Sequence, residues 1–337
     1  MNQYWNNALK GLISVLIAIL FLWLAVRSIP VSDLQELWPS IRYSWLLFFL
    51  PVTLLSLWLR AERWKLLTEH DNMVSSRRIL FAGVMYGFAV NYAVPRLGEF
   101  TRCFYLAKKE QKSVAAVMGT VVLERIIDVV VMLVLLLIVF FFLLSDQRLL
   151  LVLMGMDEPT NWVNFYLKLI LFGLLLLLAL FTMWYLFGLM ASKSDKIGSF
   201  HSKVSMVLSH FKEGLLSIRT IKKPFFFFVL TIGIWLCYIL MTLIPFGFIE
   251  GGVLSGLGLK EALVITVVSA VGVVIPSPGG IGTYHLLVQQ GLHLLYQIPE
   301  ATGFAYALIS HASVMMIILI TTPLALLFAA KRTIKPL

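Results

Sequence analysis

The sequence predicts an all-α, polytopic integral membrane protein with six full transmembrane helices and two re-entrant helical hairpins in an inverted arrangement. Three observations support this prediction. Hydrophobic residues make up 60% of the 337 residues and charged residues only 13%, about half the charged share of a soluble domain. Apolar runs recur at the length that a bilayer requires. Two further apolar stretches are interrupted by proline and glycine.

Six apolar runs are long enough to span a membrane as helices. They are residues 9–26, 43–59, 114–144, 162–190, 225–249 and 304–330. No small-residue cleavage site follows the first run, so we expect it to be a span rather than a signal peptide. Residues 1–337 are expected to form a single transmembrane domain.

The positions of lysine and arginine indicate how the two interrupted stretches are threaded, because cytoplasmic loops attract these residues. Basic residues follow the second span, fill the loop at 191–223 and end the chain, so we expect all three segments and both termini in the cytoplasm. Segments 79–107 and 262–298 must then each return to the side from which they entered. The first enters from the cytoplasm and the second from outside, as in inverted-topology transporters.

The loop at 191–223 has a pattern of its own. Its apolar residues recur at helical spacing among basic residues. This pattern predicts an amphipathic helix on the inner membrane surface.

The first break lies within residues 91–102 and combines a helix restart with charged side chains. Its polar or helix-breaking residues are Asn91, Pro95, Arg96, Gly98, Glu99 and Arg102. Proline and glycine end the first helix, and the restarted helix offers free amide groups to an anion. Arg96 and Arg102 can bind a phosphate in a two-pronged fork, while Glu99 keeps the empty site near neutral. In the alternative, these three charges only pair with one another to hold the hairpin.

A second charged group lies in the apolar run 114–144. Glu124 and Asp128 are four residues apart and share a helix face, and Arg125 lies beside them. Buried charges need partners. The expected pairs are Arg102 or Arg96 with Glu124 or Asp128, and Arg125 with Glu99, a set of six charges that sums to zero. These charges form either a mobile gate around a lipid headgroup or a static lattice.

The second break contains Pro276, Gly279, Gly280, Gly282 and His285. Two prolines and three glycines within seven residues cannot continue a helix, and their amides could face a phosphate. The alternative is that the glycines only allow close packing. The imidazole of His285 either titrates near neutral pH or makes an ordinary structural hydrogen bond. We expect ordinary structural hydrogen bonds of the other histidines nearby, His293 and His311.

Further residues support two other interpretations. Arg60 and Arg63 end the second span and are expected to anchor it to anionic headgroups. The external stretch 31–42 contains Asp33 and Glu36, which would be the acids of a glycosyl or headgroup transferase, the alternative to transport. The sequence contains no phosphate-binding loop, metal-ligand motif or nucleophile elbow, so no cofactor or metal is expected.

Four motifs occur in an order that resembles the transmembrane, flippase-type region of bacterial lysylphosphatidylglycerol synthases and their stand-alone relatives. They are Arg60-x-x-Arg63-Trp64, Asn91-x-x-x-Pro95-x-x-Gly98-Glu99-x-x-Arg102, Glu124-Arg125-x-x-Asp128 and Pro276-x-Pro278-Gly279-Gly280-x-Gly282. The resemblance implies translocation of a phospholipid or a lipid-linked substrate across the bacterial cytoplasmic (inner) membrane. Some relatives are labelled glycosyltransferases instead.

The sequence departs from the full-length synthases in two ways. Their soluble aminoacyl-transferase domain has no counterpart in these 337 residues, so lipid lysylation is not expected. Many relatives have an acidic residue near the position of His285, so an acidic role is not carried over. The expected partners are membrane phospholipids or a lipid-linked substrate, and a separately encoded lipid-modifying enzyme. A homo-oligomer is left open, and nucleic acid is not expected.

Overall fold

The computed structural model describes residues 15–70, 76–145, 171, 182, 221–248, 252–275 and 277–330. By its internal contacts the chain divides into two compact units, Met1–Phe142 with Thr220–Leu337, and Leu143–Arg219. In the second unit only residues 143–145, Leu171 and Thr182 are described, and all are helical. The expected span 162–190 and the surface helix in 191–223 thus lie almost wholly outside the described residues.

Every regular element in the described part of the chain is a helix, so the all-α class is confirmed there. The helices are α1 (Val15–Val26), α2 (Val31–Leu37), α3 (Leu46–His70), α4 (Arg77–Ala93), α5 (Leu97–Glu110), α6 (Val114–Ser145), α7 (Pro224–Leu243), α8 (Leu259–Val274), α9 (Thr283–Tyr296) and α10 (Glu300–Ala330). Short 3-10 turns follow α2 and α7 and precede α8 and α9.

Two described helices are long and apolar enough to cross a membrane. They are α7 with its following turn (Pro224–Gly247), and α10. Helix α1 and the segment Val31–Ser40 satisfy the same criteria together, but a bend of 81° separates them. Helices α3 and α6 have similar lengths, but charged residues interrupt their apolar runs. The described residues therefore contain two or three clear candidate spans.

Helix α3 is longer than the span expected at 43–59. It continues to His70, which places Arg60, Arg63 and Trp64 inside the helix rather than in a loop after it. Both arginine side chains are buried. The helix can continue because carboxylates of α6 neutralise these charges, as described below.

Helices α4 and α5 form an antiparallel hairpin. Near its tip the Asn91 side chain accepts a hydrogen bond from the Gly98 amide (2.7 Å). Further along, Tyr86 of α4 stacks edge-on against Tyr105 of α5, with ring centroids 6.3 Å apart. The helices approach so closely that a Cβ on Gly98 would overlap the Gly87 carbonyl oxygen.

Helices α8 and α9 form a second antiparallel hairpin. A Cβ on Gly272, near the end of α8, would lie 3.1 Å from the Cα of Tyr284 at the start of α9. Farther from the tip, Gly291 of α9 faces Val268 of α8. Two hairpins of similar design thus occur in the chain, each between longer helices.

The two hairpins lie along α10 from opposite ends. The first has its base at the end of α10, where Arg78 lies over the Phe328 ring, and its tip at His311, which faces Tyr92. The second has its base at the start of α10 and its tip at the same His311, whose ring nitrogen Nε2 lies 3.0 Å from the Gly279 carbonyl oxygen. Helix α10 has 31 residues, or about 46 Å of helix.

The tips also contact each other directly. The Arg96 guanidinium donates to the Val274 carbonyl oxygen (3.4 Å), and Gly279 packs against the Tyr92 ring. Around them the packing order closes into a ring, α3–α4–α10–α9–α8–α7 and back to α3. An apolar core cluster lies toward the start of α10 and includes Phe248.

The two ends of this arrangement differ in charge. We call one the basic end, where α3, α5 and α10 finish and α4, α6 and α7 begin. Among the described residues, its lysines and arginines are Lys65, Arg77, Arg78, Lys108, Lys109, Lys112, Lys222 and Lys223. At the opposite end the described part of the chain has Arg27, Arg42 and Lys260. Arg60 and Arg63 are buried and belong to neither end, whereas the sequence analysis expected them to anchor the end of the second span to anionic headgroups.

Candidate functional site

Glu124 of α6 is the centre of a buried group of charges. Its carboxylate is fully buried and contacts four arginines. It pairs with Arg60, with Arg102 (2.9 Å), with Arg125 (3.1 Å) and with Arg63 (3.5 Å). The pair between α5 and α6 was expected from the sequence, whereas the two pairs with α3 were not.

Asp128, one turn further along α6, contacts three of the same four arginines. Its carboxylate accepts from Arg63 (2.7 Å) and Arg60 (3.1 Å) and lies 3.6 Å from Arg125. Arg125 therefore contacts the two acids of its own helix. The partner expected from the sequence was Glu99. We call Arg60, Arg63, Arg102, Glu124, Arg125 and Asp128 the charged cluster.

Hydroxyl groups of neighbouring helices bind the α3 arginines. Arg60 donates to the Tyr238 hydroxyl (2.6 Å), and Arg63 donates to Thr231 (3.4 Å), both on α7. Through these bonds the cluster joins α3, α5, α6 and α7, so it also holds the helices together.

Aromatic rings pack against the same arginines. The Arg102 guanidinium lies 4.8 Å from the Trp64 ring centroid, and Arg60 lies 5.6 Å from that of Phe88. An arginine over an aromatic face gains electrostatic attraction that strengthens away from water.

The composition of the charged cluster leaves positive charge uncompensated. The cluster holds four guanidinium groups and two carboxylates, an excess of two formal positive charges, whereas the set expected from the sequence was neutral. Each of the four arginines also has a buried Nε without a hydrogen-bond partner among the described residues. Buried polar groups are normally satisfied, and two of these four unsatisfied donors belong to Arg102 and Arg125, which also line a cleft beside the cluster.

A small cleft opens beside the cluster. Its lining residues are Val84, Gly87, Phe88, Asn91, Gly98, Glu99, Arg102 and Arg125. The Arg125 side chain is 40% exposed, against 4% or less for the other three arginines. The cleft therefore meets the cluster at Arg125, between the first hairpin and α6.

At the first break, residues expected to bind an anion make structural contacts. The Asn91 amide accepts from Gly98 and donates to Glu99 (3.3 Å), so one of the amides expected to be free is already bonded. Arg96 has a left-handed backbone (φ 62°), and its side chain reaches Val274 of the other hairpin instead of the acids of α6. Of the two arginines expected to bind phosphate here, only Arg102 joins the cluster.

At the second break, the amides are also largely used within the segment. Gly280 and Ile281 donate to nearby carbonyl groups, and Gly282 donates to Nδ1 of His285 (3.1 Å). This result favours the packing alternative over exposed amides, with Pro276 outside the described residues. Gly279, Gly280 and Gly282 have positive φ, and a Cβ on Gly282 would overlap the Ala18 carbonyl oxygen of α1.

Histidine and tyrosine side chains surround the second break. The His285 ring, which is buried, lies 5.0 Å from that of His311, and His311 stacks on Tyr284 at 4.8 Å. His293, farther from the tip, lies 3.0 Å from the Ile298 carbonyl oxygen. His293 also lies 3.9 Å from the Glu300 carboxylate, but the described contacts of His285 and His311 include no carboxylate, so the break itself differs in kind from the charged cluster.

Sequence reasoning missed the role of Arg60 and Arg63 as partners of α6. The available signal was their spacing of three residues, which puts both on one face of a continued helix. Asp33 and Glu36, the candidate acids of a transferase, are exposed on α2.

Comparison with known families identifies the chain. The family model for the lysylphosphatidylglycerol synthase TM region matches residues 11–321. No curated protein and no solved structure matches the chain significantly. The match covers most of the chain and includes both hairpins and the charged cluster. The chain therefore belongs to the lysylphosphatidylglycerol synthase TM-region family, a membership that indicates a membrane protein with a lipid-related function.

Proposed function

We propose that this protein translocates a phospholipid or a lipid-linked substrate between the leaflets of the bacterial cytoplasmic membrane. The observation that carries the proposal is the meeting of two broken hairpins, from opposite ends of α10, at His311. Non-helical backbone is tolerated inside a bilayer only where protein or a wet cavity surrounds it. Hairpins that enter from opposite faces offer a polar route with one entrance on each side.

In this proposal the charged cluster and its cleft receive the headgroup, while the acyl chains stay in the bilayer. Moving a charged or sugar headgroup through hydrocarbon is costly, and fixed charges along the route lower that cost. Apolar side chains of α5, such as Phe100 and Phe104, are exposed on the face of the helix away from Arg102 and suit contact with acyl chains of the bilayer. The second break forms the surface against which the first hairpin's tip packs.

The proposed orientation places the basic end in the cytoplasm, in accordance with the positive-inside rule. Helix α10 finishes at this end, and α1 runs away from it toward Glu300 at the start of α10. Both chain termini are then cytoplasmic. Lys108→Cys, at the basic end, should react with a membrane-impermeant maleimide only after permeabilisation of the cell membrane, whereas Lys260→Cys should react in intact cells. The reverse pattern would contradict the orientation.

Leaflet exchange in reconstituted vesicles tests the function itself. The purified chain should accelerate exchange of fluorescent phospholipids over protein-free vesicles, and Arg102→Ala or Glu124→Ala should abolish the acceleration. The thermal unfolding midpoint of each variant must be measured, because both side chains are buried. Arg125→Gln serves where those variants do not fold. No acceleration by the folded wild-type chain would refute the proposal.

The same preparation distinguishes the other two classes of function. Product formation from a polyprenyl-phosphate sugar donor, lost in Asp33→Asn, would instead identify a transferase. Exchange that requires a separately encoded lipid-modifying enzyme would identify a partner protein. A second copy of the chain, if required, would appear as a dependence of exchange on the number of chains per vesicle.

A further inference from the structure

We infer that the charged cluster selects a lipid headgroup with net negative charge, bound through its phosphate, and discriminates against headgroups whose phosphate is balanced by an amine. This inference rests on the proposed function and names its substrate class. The shared chemistry is a phosphate anion, carried either by an anionic glycerophospholipid or by a polyprenyl phosphate.

The net positive charge of the cluster favours the binding of an anion. Arginine stays ionised in proteins, and each carboxylate of the cluster contacts at least three arginines, which favours its ionised form. Four positive and two negative groups therefore face one another with an excess of two positive charges. Glu99, on the cleft wall, reduces this excess to one. Because unpaired buried charge is unfavourable, the site favours an added anion.

Unpaired hydrogen-bond donors of the cluster's arginines suit a phosphate group. The Nε groups of Arg60, Arg63, Arg102 and Arg125 are buried without partners among the described residues. A guanidinium presents its donors in a planar fork that matches phosphate. At the cleft, Arg102 and Arg125 line the same wall and can offer donors to one phosphate group.

The cleft gives a ligand access to the charged cluster. Arg125 is the most exposed arginine of the cluster and borders the cleft. The exposed faces of Leu97, Phe100 and Phe104 on α5 lie along the same hairpin. These side chains lie on the face of α5 opposite Arg102, so the hairpin presents apolar surface to the bilayer, and we expect the phosphate that reaches Arg125 to be carried by a lipid.

Glu99 opposes this selectivity, because its carboxylate attracts an amine and repels an anion, but it offsets only one of the two excess positive charges of the cluster. It is the one acid of the cleft lining, and Asn91 holds its carboxylate. A zwitterionic or aminoacylated headgroup would need this carboxylate for its amine. A net anionic headgroup is instead repelled by it. The variant Glu99→Gln should therefore tighten the binding of an anionic lipid and weaken that of an amine-bearing lipid.

The test is lipid binding to the purified full chain by native mass spectrometry, with phosphatidylglycerol, a polyprenyl phosphate and phosphatidylethanolamine as probes. We expect at least one of the two anionic lipids to bind wild type about tenfold more tightly than phosphatidylethanolamine, and Arg125→Gln to reduce that binding about tenfold. Glu99→Gln should increase it. The control Arg78→Gln removes the same charge from the exposed basic end and should leave binding unchanged.

The outcomes separate the two lipid sources and the two proposals. Preference for phosphatidylglycerol alone assigns the phosphate to a glycerophospholipid, and preference for the polyprenyl phosphate alone assigns it to a lipid carrier. Equal binding of phosphatidylethanolamine, or equal losses in Arg125→Gln and Arg78→Gln, would overturn the inference. Selective binding without leaflet exchange would refute only the proposed function, and unselective exchange would refute only the inference.

Discussion

The two hairpins share a design and differ in chemistry. Each is a pair of antiparallel helices that runs along α10 to a break near His311. The first hairpin packs beside four arginines and two carboxylates and borders a cleft. At the break of the second hairpin, the described contacts involve glycine, hydroxyl and imidazole groups, and α1 packs closely against this break.

This difference indicates a division of roles between the hairpins. Charge inside a membrane protein is costly and is usually functional, so the first hairpin is the better candidate for headgroup binding. At the second, bonds within the segment satisfy the amides, and glycine allows close packing. Similar architecture thus does not imply similar chemistry. The following substitutions test this division, from the largest expected effect to the smallest.

Replacing Glu124 should have the largest effect on stability. The change Glu124→Gln leaves four arginines facing one carboxylate, and breaking a buried ion pair costs about 3–5 kcal/mol. Thermal or denaturant unfolding of the purified protein measures this loss. The matched control is Glu62→Gln, whose partner Arg77 is exposed, so its expected loss is below about 1 kcal/mol. Equal losses in the two variants would show that the cluster has no special role in stability.

A methyl group at Gly98 should separate the helices of the first hairpin. Its Cβ would overlap the Gly87 carbonyl oxygen and crowd Asn91, and overpacking of this kind costs about 1–3 kcal/mol. Gly119→Ala is the control, because nothing lies within 4 Å of a Cβ there. We expect that control to be neutral or slightly stabilising. If Gly98→Ala is equally harmless, the close packing of α4 on α5 is wrong.

The smallest stability effect is expected at the second break. His285→Phe keeps an aromatic ring but removes the Nδ1 acceptor of the Gly282 amide, and a lost helix cap costs about 1 kcal/mol. Lipid binding should remain close to that of wild type, since this ring lies outside the charged cluster. Binding reduced as strongly as in Arg125→Gln would contradict the division of roles between the hairpins.

Much of the fold was predictable because its signals are local. Proline and glycine mark both breaks, and each break lies at the tip of an antiparallel pair of helices. The entry of the two hairpins from opposite faces of a membrane stays a prediction. Helix α3 does not end with its apolar run at Leu59, although Arg60 and Arg63 indicate the polar end of a span when the sequence is considered alone. Only the packing of α3 against α6 explains why the helix continues through them.

The charged cluster was predictable only in part. The spacing of Glu124 and Asp128 put both on one face, and the pair of Glu124 with Arg102 followed from their proximity to the first hairpin. Sequence spacing gives no information about which distant helix supplies the other partners. Arg96 instead contacts Val274, and Glu99 contacts Asn91. These exchanges of partner turn a set of charges expected to be neutral into a positive one.

The most direct test of the whole account is the leaflet exchange rate of a fluorescent anionic lipid in vesicles that contain wild type, Arg125→Gln or Arg78→Gln. The probe is the lipid that binds wild type most tightly, and vesicles without protein set the background. The account predicts rapid exchange by wild type and Arg78→Gln, and exchange near background in Arg125→Gln. Rapid exchange by folded Arg125→Gln would contradict the claim that the headgroup crosses the membrane at the charged cluster.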